Sequence, residues 1–168
     1  TLVIEKSDQY GGTSATSGGG VWIPNNRYAK AEKVDDSDQD ARDYINSVSP
    51  EGKIKDELVE TYIAEGPKMI DYLHENSQVK YRNLAHYPDY FPDNPGGKAG
   101  NRSMEPEPIK GTELGDDLGR LRGQHPQTAF TMGPINMNFT QVEGQLLLGA
   151  LPGWKSQFAK LFTKYILD

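Results

Sequence analysis

Thr1-Leu2-Val3-Ile4-Glu5, followed after a short polar link by Gly11-Gly12-Thr13-Ser14-Ala15-Thr16-Ser17-Gly18-Gly19-Gly20, is the stretch on which the fold class turns. Residues 1–4 are a β-branched, apolar run, the pattern of a strand buried on both faces of a parallel sheet. Glu5 then stands at the C-terminal end of that strand. In a dinucleotide-binding βαβ unit an acidic residue there accepts hydrogen bonds from a ribose diol. The glycines let the backbone take up positive φ and approach a ligand closely. Thr13, Ser14 and Ser17 add short hydroxyls, and backbone N–H groups in such loops form anion-binding concavities. The sequence therefore predicts an α/β protein, with a loop suited to a pyrophosphate or a polar ring edge. A flexible Gly/Ser linker is the competing reading, and Tyr10 before the loop and Trp22 after it count against that.

A buried strand is a poor place for a chain to start. Tyr165-Ile166-Leu167-Asp168 likewise stops inside an amphipathic pattern with no C-cap glycine. Both ends lead us to expect a longer parent chain.

Outward from the loop, Val21-Trp22-Ile23 is a short apolar segment stopped by Pro24-Asn25-Asn26. Asp36 or Ser37 caps a predicted helix to about Ser47, with a stripe of Ala41, Tyr44, Ile45 and Val48. A second helix is predicted from about Lys53 to Glu65, with Ile54, Leu58 and Tyr62 in one row and Val59 and Ile63 in the next. Gly66-Pro67 then punctuates, Pro67 opening a third helix that ends near Asn76. Residues 79–82 alternate as a short strand. Residues 87 to about 123 are dense in Pro, Gly and Asp, too long for an idle loop in a compact domain. Thr140 and Glu143 form a capping-box pattern. From about Gly153 a last helix places Trp154, Phe158, Leu161, Phe162 and Tyr165 on one face. The segment thus reads as mostly helices and long loops with few strands.

Composition removes several functions. The chain of 168 residues carries 18 Lys and Arg against 24 Asp and Glu, a net charge of −6. An acidic chain without a basic block is a poor partner for nucleic acid or an anionic membrane surface. There are no cysteines, so disulfide scaffolds, thiolate metal sites and cysteine nucleophiles are excluded. No apolar run approaches the roughly 20 residues of a membrane span, and no signal peptide is visible. A cytoplasmic place is expected. Hydrophobic residues are 35 %, with 18 glycines and 11 prolines. Such a core is lean for the length and suggests that something else completes it.

His74, His86 and His125 are not spaced as metal ligands, and no metal site is expected. No Gly-x-Ser-x-Gly elbow and no P-loop pattern occurs. Tyr87-Pro88-Asp89-Tyr90 sets two phenols around a carboxylate in a stiff turn. A tyrosine held by such a turn can act as acid, base or hydrogen-bond donor; two tyrosines packing on a surface turn is the alternative.

Together, Val3-Ile4-Glu5-Lys6, Gly11 to Gly18, Val21-Trp22-Ile23-Pro24 and Tyr87-Pro88-Asp89-Tyr90 resemble the early part of 3-ketosteroid dehydrogenases. These are FAD flavoproteins of the wider fumarate reductase/succinate dehydrogenase class. Pro95-Gly96-Gly97, Gly100-Asn101-Arg102-Ser103 and Met132-Gly133-Pro134 are weaker echoes, and the likeness runs in order over most of residues 1–140. It implies an incomplete Rossmann-like FAD-binding domain over residues 1–168, with FAD as cofactor and a small-molecule substrate, a steroid. Glu5 would bind the adenosine ribose. Gly11, Gly12, Thr13, Ser14, Ser17 and Gly18 would hold the pyrophosphate, ribityl chain and flavin ring. Tyr90 would line the steroid pocket and assist a second tyrosine that acts as base.

The chain departs from the family in two places. The Gly-x-Gly-x-x-Gly turn that should precede strand 1–4 is absent, and the base tyrosine should follow residue 168. The enzyme reading therefore belongs to the parent, and residues 1–168 alone are expected to be inactive. Two rivals stay open: a flavoprotein of the same class acting on another unsaturated substrate such as a dicarboxylate, and a non-catalytic helical module. A dicarboxylate site would want converging arginines; Arg102, Arg120 and Arg122 do not decide the matter.

Overall fold

The computed structural model describes residue 2 and residues 4–123, 130–132, 135–137 and 140–167. These form two compact units, residues 20–107 and residues 1–19 with 108–168.

Residues 20–107 hold a three-stranded antiparallel sheet of β1 (Val21–Trp22), β2 (Tyr81–Asn83) and β3 (Ser103–Pro106), in the order β1-β3-β2. Val21 pairs with Met104 on one side of β3, and Asn83 pairs with Met104 on the other. Three helices accompany the sheet: α2 (Arg27–Ala31), α3 (Asp38–Val48) and α4 (Asp56–Asn76), while α1 (Gly12–Thr16) belongs to the other unit. Asn26 caps α2 by accepting from the N–H groups of Tyr28 and Ala29, and Ser37 caps α3 by accepting from Asp40 N–H. These caps satisfy donors that a helix start leaves unpaired. Ile23, Ile70 and Met104 make one core cluster, and Ala41, Val59 and Ile63 the other.

Two expectations are corrected in this unit. The expected helix from Lys53 begins at Asp56 and does not break at Gly66-Pro67, because α4 runs on through Pro67. Proline removes one helical hydrogen bond, that to the Ile63 carbonyl. Against this, Val59, Ile63, Gly66 and Ile70 form one buried row across it. Gly66 has no side chain because Ile23 lies there: a Cβ would come within 3.2 Å of Ile23 Cδ1. The second correction concerns the long loop from residue 87. It contains the central strand β3, whose Met104 and Glu105 are buried.

Residues 1–19 and 108–168 contain α1 (Gly12–Thr16), a 3₁₀ segment (Gly111–Arg120), an antiparallel pair β4 (Phe130–Met132) and β5 (Ile135–Met137), and helices α5 (Gln141–Leu148) and α6 (Trp154–Leu167). The predicted capping box is present, with Thr140 and Glu143 each accepting the other's backbone N–H. The Gln157 amide donates to Glu143 Oε1 at 3.0 Å, and Leu161 is buried. The expected strand at residues 1–4 is not formed at its described positions. Leu2 and Ile4 lie in no strand and are 86 % and 85 % exposed. A parallel strand needs neighbours for its ladder and its two apolar faces, and no described strand pairs with this one. Thr1, Val3, His125 and the Gly133-Pro134 turn lie outside the described residues.

Candidate functional site

The glycine loop is held by its main chain. Tyr10 N–H donates to the Arg120 carbonyl at 3.0 Å, and Arg122 N–H donates to the Tyr10 carbonyl at 2.9 Å. The Tyr10 hydroxyl donates to the Asp117 carbonyl. This pins the chain immediately before Gly11, which turns with φ 105°. Gly12 follows with φ 50° and opens α1. A Cβ on Gly11 would stand 2.7 Å from that of Ala15, so position 11 needs glycine for space as well as for φ. The sequence shows a loop here, whereas the structure winds five of its residues into a helical turn. The anchoring role of Tyr10 was missed, since its partners lie more than a hundred residues away.

Glu5 is exposed and accepts from Ser7 N–H through Oε1. Thr13 and Ser14 are exposed, and no side chain caps α1. Ser17 Oγ accepts from Gly19 N–H, and a Cβ on Gly18 would approach the Gln141 amide at 3.2 Å. The donors offered by the loop are thus amides and short hydroxyls, beside a backbone no side chain covers at Gly12. Such donors suit phosphate oxygens and a polar ring edge, and a surface carboxylate suits a diol. These residues fit a dinucleotide.

Within residues 20–107 lies a cavity of ≈ 300 Å³ walled by Trp22, Tyr44, Ile45, Val48, Tyr87 and Tyr90, with Pro88, Asp89 and Ser103 completing it. Trp22 stands between two phenols, 5.9 Å from Tyr44 and stacked at 6.3 Å on Tyr62. The Tyr62 hydroxyl donates to the Trp22 carbonyl at 2.5 Å, and burial raises its pKa. It is therefore held as a neutral donor. Tyr90 lines the cavity while remaining 84 % exposed.

Beneath that wall is a buried ionic cluster. Arg102 donates to Asp89 at 2.9 Å and to Asp36 at 2.7 Å, and all three side chains are at most 3 % exposed. Asp89 also accepts from Trp22 Nε1 at 2.6 Å and from Lys98 N–H at 3.0 Å. The guanidinium lies over Trp22 and Tyr44, 5.4 and 5.7 Å from their ring centres. The glycines of the weaker sequence echoes lock the same segment: a Cβ on Gly96 would stand 2.0 Å from the Asp40 carbonyl, and one on Gly100 equally close to that of Ala85.

Arg102, one of the arginines weighed for a dicarboxylate, is therefore engaged inside the protein. Arg120 is exposed and pairs with Asp117. His74 Nδ1 lies 2.8 Å from the Tyr28 hydroxyl, a structural contact. Among the described residues no group of side chains could hold a metal ion, and no helix is long and apolar enough to cross a membrane.

Residues 1–149 match a family model described as FAD binding domain. The chain is 36 % identical over 142 residues to the 3-oxosteroid 1-dehydrogenase of Mycolicibacterium smegmatis, covering 84 % of this chain and 25 % of that one. It is 34 % identical over 131 residues to the 4-oxocyclohexanecarboxylate 2-dehydrogenase of Sinomonas cyclohexanicum, covering 78 % and 23 %. The crystal structure of 3-ketosteroid delta1-dehydrogenase from Sterolibacterium denitrificans, in complex with 1,4-androstadiene-3,17-dione, superposes with a TM-score of 0.86 at 36 % identity. That match covers 99 % of this chain and 29 % of the other. The chain spans about a quarter of the length of the curated relatives it matches.

Proposed function

The chain belongs to the FAD binding domain family, and on that premise we propose that it is part of a flavin-dependent dehydrogenase that desaturates a cyclic ketone, a 3-ketosteroid. Residues 1–168 are read as part of a Rossmann-like FAD-binding domain in a cytoplasmic protein. In this reading FAD, when bound, supplies the hydride acceptor. Glu5 accepts from the adenosine ribose. The amides and hydroxyls of Gly11, Gly12, Thr13, Ser14, Ser17 and Gly18 bind the pyrophosphate and the polar edge of the flavin. Tyr90 contributes a phenol at the substrate and assists a base that takes the proton beside the ketone. A free phenol ionises near pH 10, so a tyrosine base needs a neighbouring donor of this kind.

One observation carries the reading: the cavity beside Tyr90 is walled by aromatic and aliphatic side chains, and its one charged residue, Asp89, faces inward to Arg102. An apolar wall with a phenol at its edge suits a neutral fused-ring ketone. A carboxylate substrate would want a free cation, and among the described residues no lysine, arginine or histidine lines the cavity.

The test compares Tyr90→Phe with Tyr87→Phe in the full-length flavoprotein, with a 3-ketosteroid as substrate. Acid–base contributions are typically ~10²–10⁴-fold, and an assisting group belongs at the low end. Tyr90→Phe should lower kcat by up to about 10²-fold with flavin content intact, and Tyr87→Phe by much less. Equal losses, or no turnover by the unaltered protein, would overturn the reading.

A further inference from the structure

The carboxylate next to Tyr90 has a role that the chemistry above leaves unassigned. Asp89 lies beside a phenol at a cavity, the place of a proton acceptor, yet its surroundings are those of an anchor. Its side chain is 2 % exposed. Oδ1 takes the Trp22 indole N–H, while Oδ2 takes both Arg102 Nη1 and Lys98 N–H. Its own backbone N–H donates to the Lys98 carbonyl at 3.0 Å. The two residues therefore clasp one another across the turn, and Asp89 is tied on every side. Tyr90, one residue on, has a mostly exposed ring. Phe91 N–H then donates to the Tyr44 hydroxyl at 3.3 Å. The backbone of Tyr90 is thus fixed on both flanks while its ring stays available.

We propose that Asp89 is a positioning residue: charged and held by Arg102, it fixes the Trp22 ring and the Tyr90 backbone as two walls of one cavity, and takes no proton itself. The inference rests on the functional reading above for the meaning of Tyr90, and on the hydrogen bonds alone for the geometry. A carboxylate is required because three donors converge on it and it carries none of its own. An asparagine would turn an NH2 toward at least one of those donors, losing that bond while keeping the side chain's shape.

The experiment uses the full-length holoprotein and the variants Asp89→Asn, Tyr90→Phe and the double variant. A residue acting through Tyr90 is non-additive with it. Asp89→Asn should lower kcat about tenfold with flavin content retained. In the Tyr90→Phe background the same change should cost less than about threefold. Additive losses would overturn the inference, as would loss of the acid limb of the kcat profile in Asp89→Asn, the mark of a proton acceptor.

A second measurement needs no turnover and no flavin chemistry. In protein labelled with ¹⁵N-tryptophan and ¹⁵N-tyrosine, the Trp22 indole N–H and Tyr90 amide resonances are assigned by their loss or shift in Trp22→Phe and Tyr90→Phe. Both should move in Asp89→Asn, with resonances of tyrosines outside the cluster, such as Tyr10 and Tyr72, in place. Unmoved Trp22 and Tyr90 signals would overturn the inference even if the steroid reading stands. Moved signals in a protein that does not oxidise a 3-ketosteroid would uphold the geometry and reject the steroid reading. If Asp89→Asn fails to fold, Trp22→Phe serves instead: it removes one of the three donors, and the Tyr90 amide must still shift.

Discussion

Between residues 20 and 107, two clusters centred on Ile70 and Ile63 bury aliphatic side chains, and Arg102 lies among its carboxylates with 1 % of its surface exposed. In residues 1–19 and 108–168, Leu161 is the hydrophobic side chain buried among the described residues, while Leu2, Ile4, Ile109 and Leu148 are exposed. The first unit is specified by side chains reaching across long sequence separations, the second largely by backbone: the Tyr10 bridge, the φ of Gly11 and Gly12, and the capping box of α5. The two parts of the proposed enzyme follow that division. The turn bearing Tyr90 is aimed by a buried ionic cluster, whereas the dinucleotide loop is shaped by main-chain conformation. Mutations should therefore separate them, with side-chain charge critical in one and φ in the other.

The largest effect should come from Arg102. Removing one member of a buried ionic cluster leaves the others uncompensated, at a cost of about 3–5 kcal/mol. Arg102→Ala is expected to lower the unfolding free energy by an amount on that scale, read in urea from Trp22 and Tyr44. Arg120→Ala breaks an ion pair whose side chains are 70 % and 64 % exposed and should change stability by at most about 0.5 kcal/mol. Comparable losses at the two arginines would dissolve the distinction between the units.

A glycine pair comes next. Gly96 has φ 71°, and a Cβ there would strike the Asp40 carbonyl; Gly12 has φ 50° with open space around it. Gly12→Ala should pay only the left-handed backbone cost, roughly 1–2 kcal/mol. Gly96→Ala adds a collision with backbone that has no side chain to swing aside, and should exceed that figure by at least about 1 kcal/mol. In the functional reading Gly12→Ala should also weaken FAD retention, while Gly96→Ala acts through Tyr44 and the tyrosine turn. A reversed order of stability would show that the loop at Gly12 is more tightly built than its surroundings indicate.

The same division explains what could be read from sequence. Helix α3 was legible because its cap at Ser37 and its stripe of Ala41 and Tyr44 are local patterns, and so was the box at Thr140 and Glu143. The apolar run at residues 1–4 misled because composition reports what a strand could bury and not whether partners exist. Strand β3 was hidden since Ser103-Met104-Glu105-Pro106 is only four residues long, ends in proline and buries a glutamate beside its methionine; that burial comes from β1, β2 and the pairing of Glu105 with Arg82. Helix α4 passes Pro67 because the row from Val59 to Ile70 outweighs one lost bond. For the candidate site, Tyr90 and the glycine loop were visible as motifs. The grip on Asp89 was not, because its Trp22 donor stands 67 residues away in sequence.

The smallest effect, and the sharpest probe of side-chain control in residues 20–107, concerns Asp40 and Lys98. The Lys98 ammonium hydrogen-bonds Asp40 Oδ2 at 3.0 Å, and with the Ser37 hydroxyl it lowers the Asp40 pKa below its ordinary value. The folded carboxyl thus holds its proton less tightly than the unfolded one. Its contribution is complete above the unfolded carboxylate pKa, about 3.9, and is lost as pH falls through the lower folded value. Lys98→Met removes the leading cause while leaving both bonds that the Lys98 main chain makes with Asp89, so the Tyr90 turn should persist. Stability near neutrality should fall slightly, and its decline below about pH 4 should become shallower. The pair is about a third exposed on the Asp40 side, so solvent screens it and the difference should shrink further in 1 M salt, where the Debye length is about 3 Å. Urea midpoints at pH 6, 4 and 3, in low and high salt, decide the matter. An unchanged acid slope would mean that Lys98 secures the turn by its backbone alone, and that residues 20–107 lean on main-chain geometry here as much as the glycine loop does.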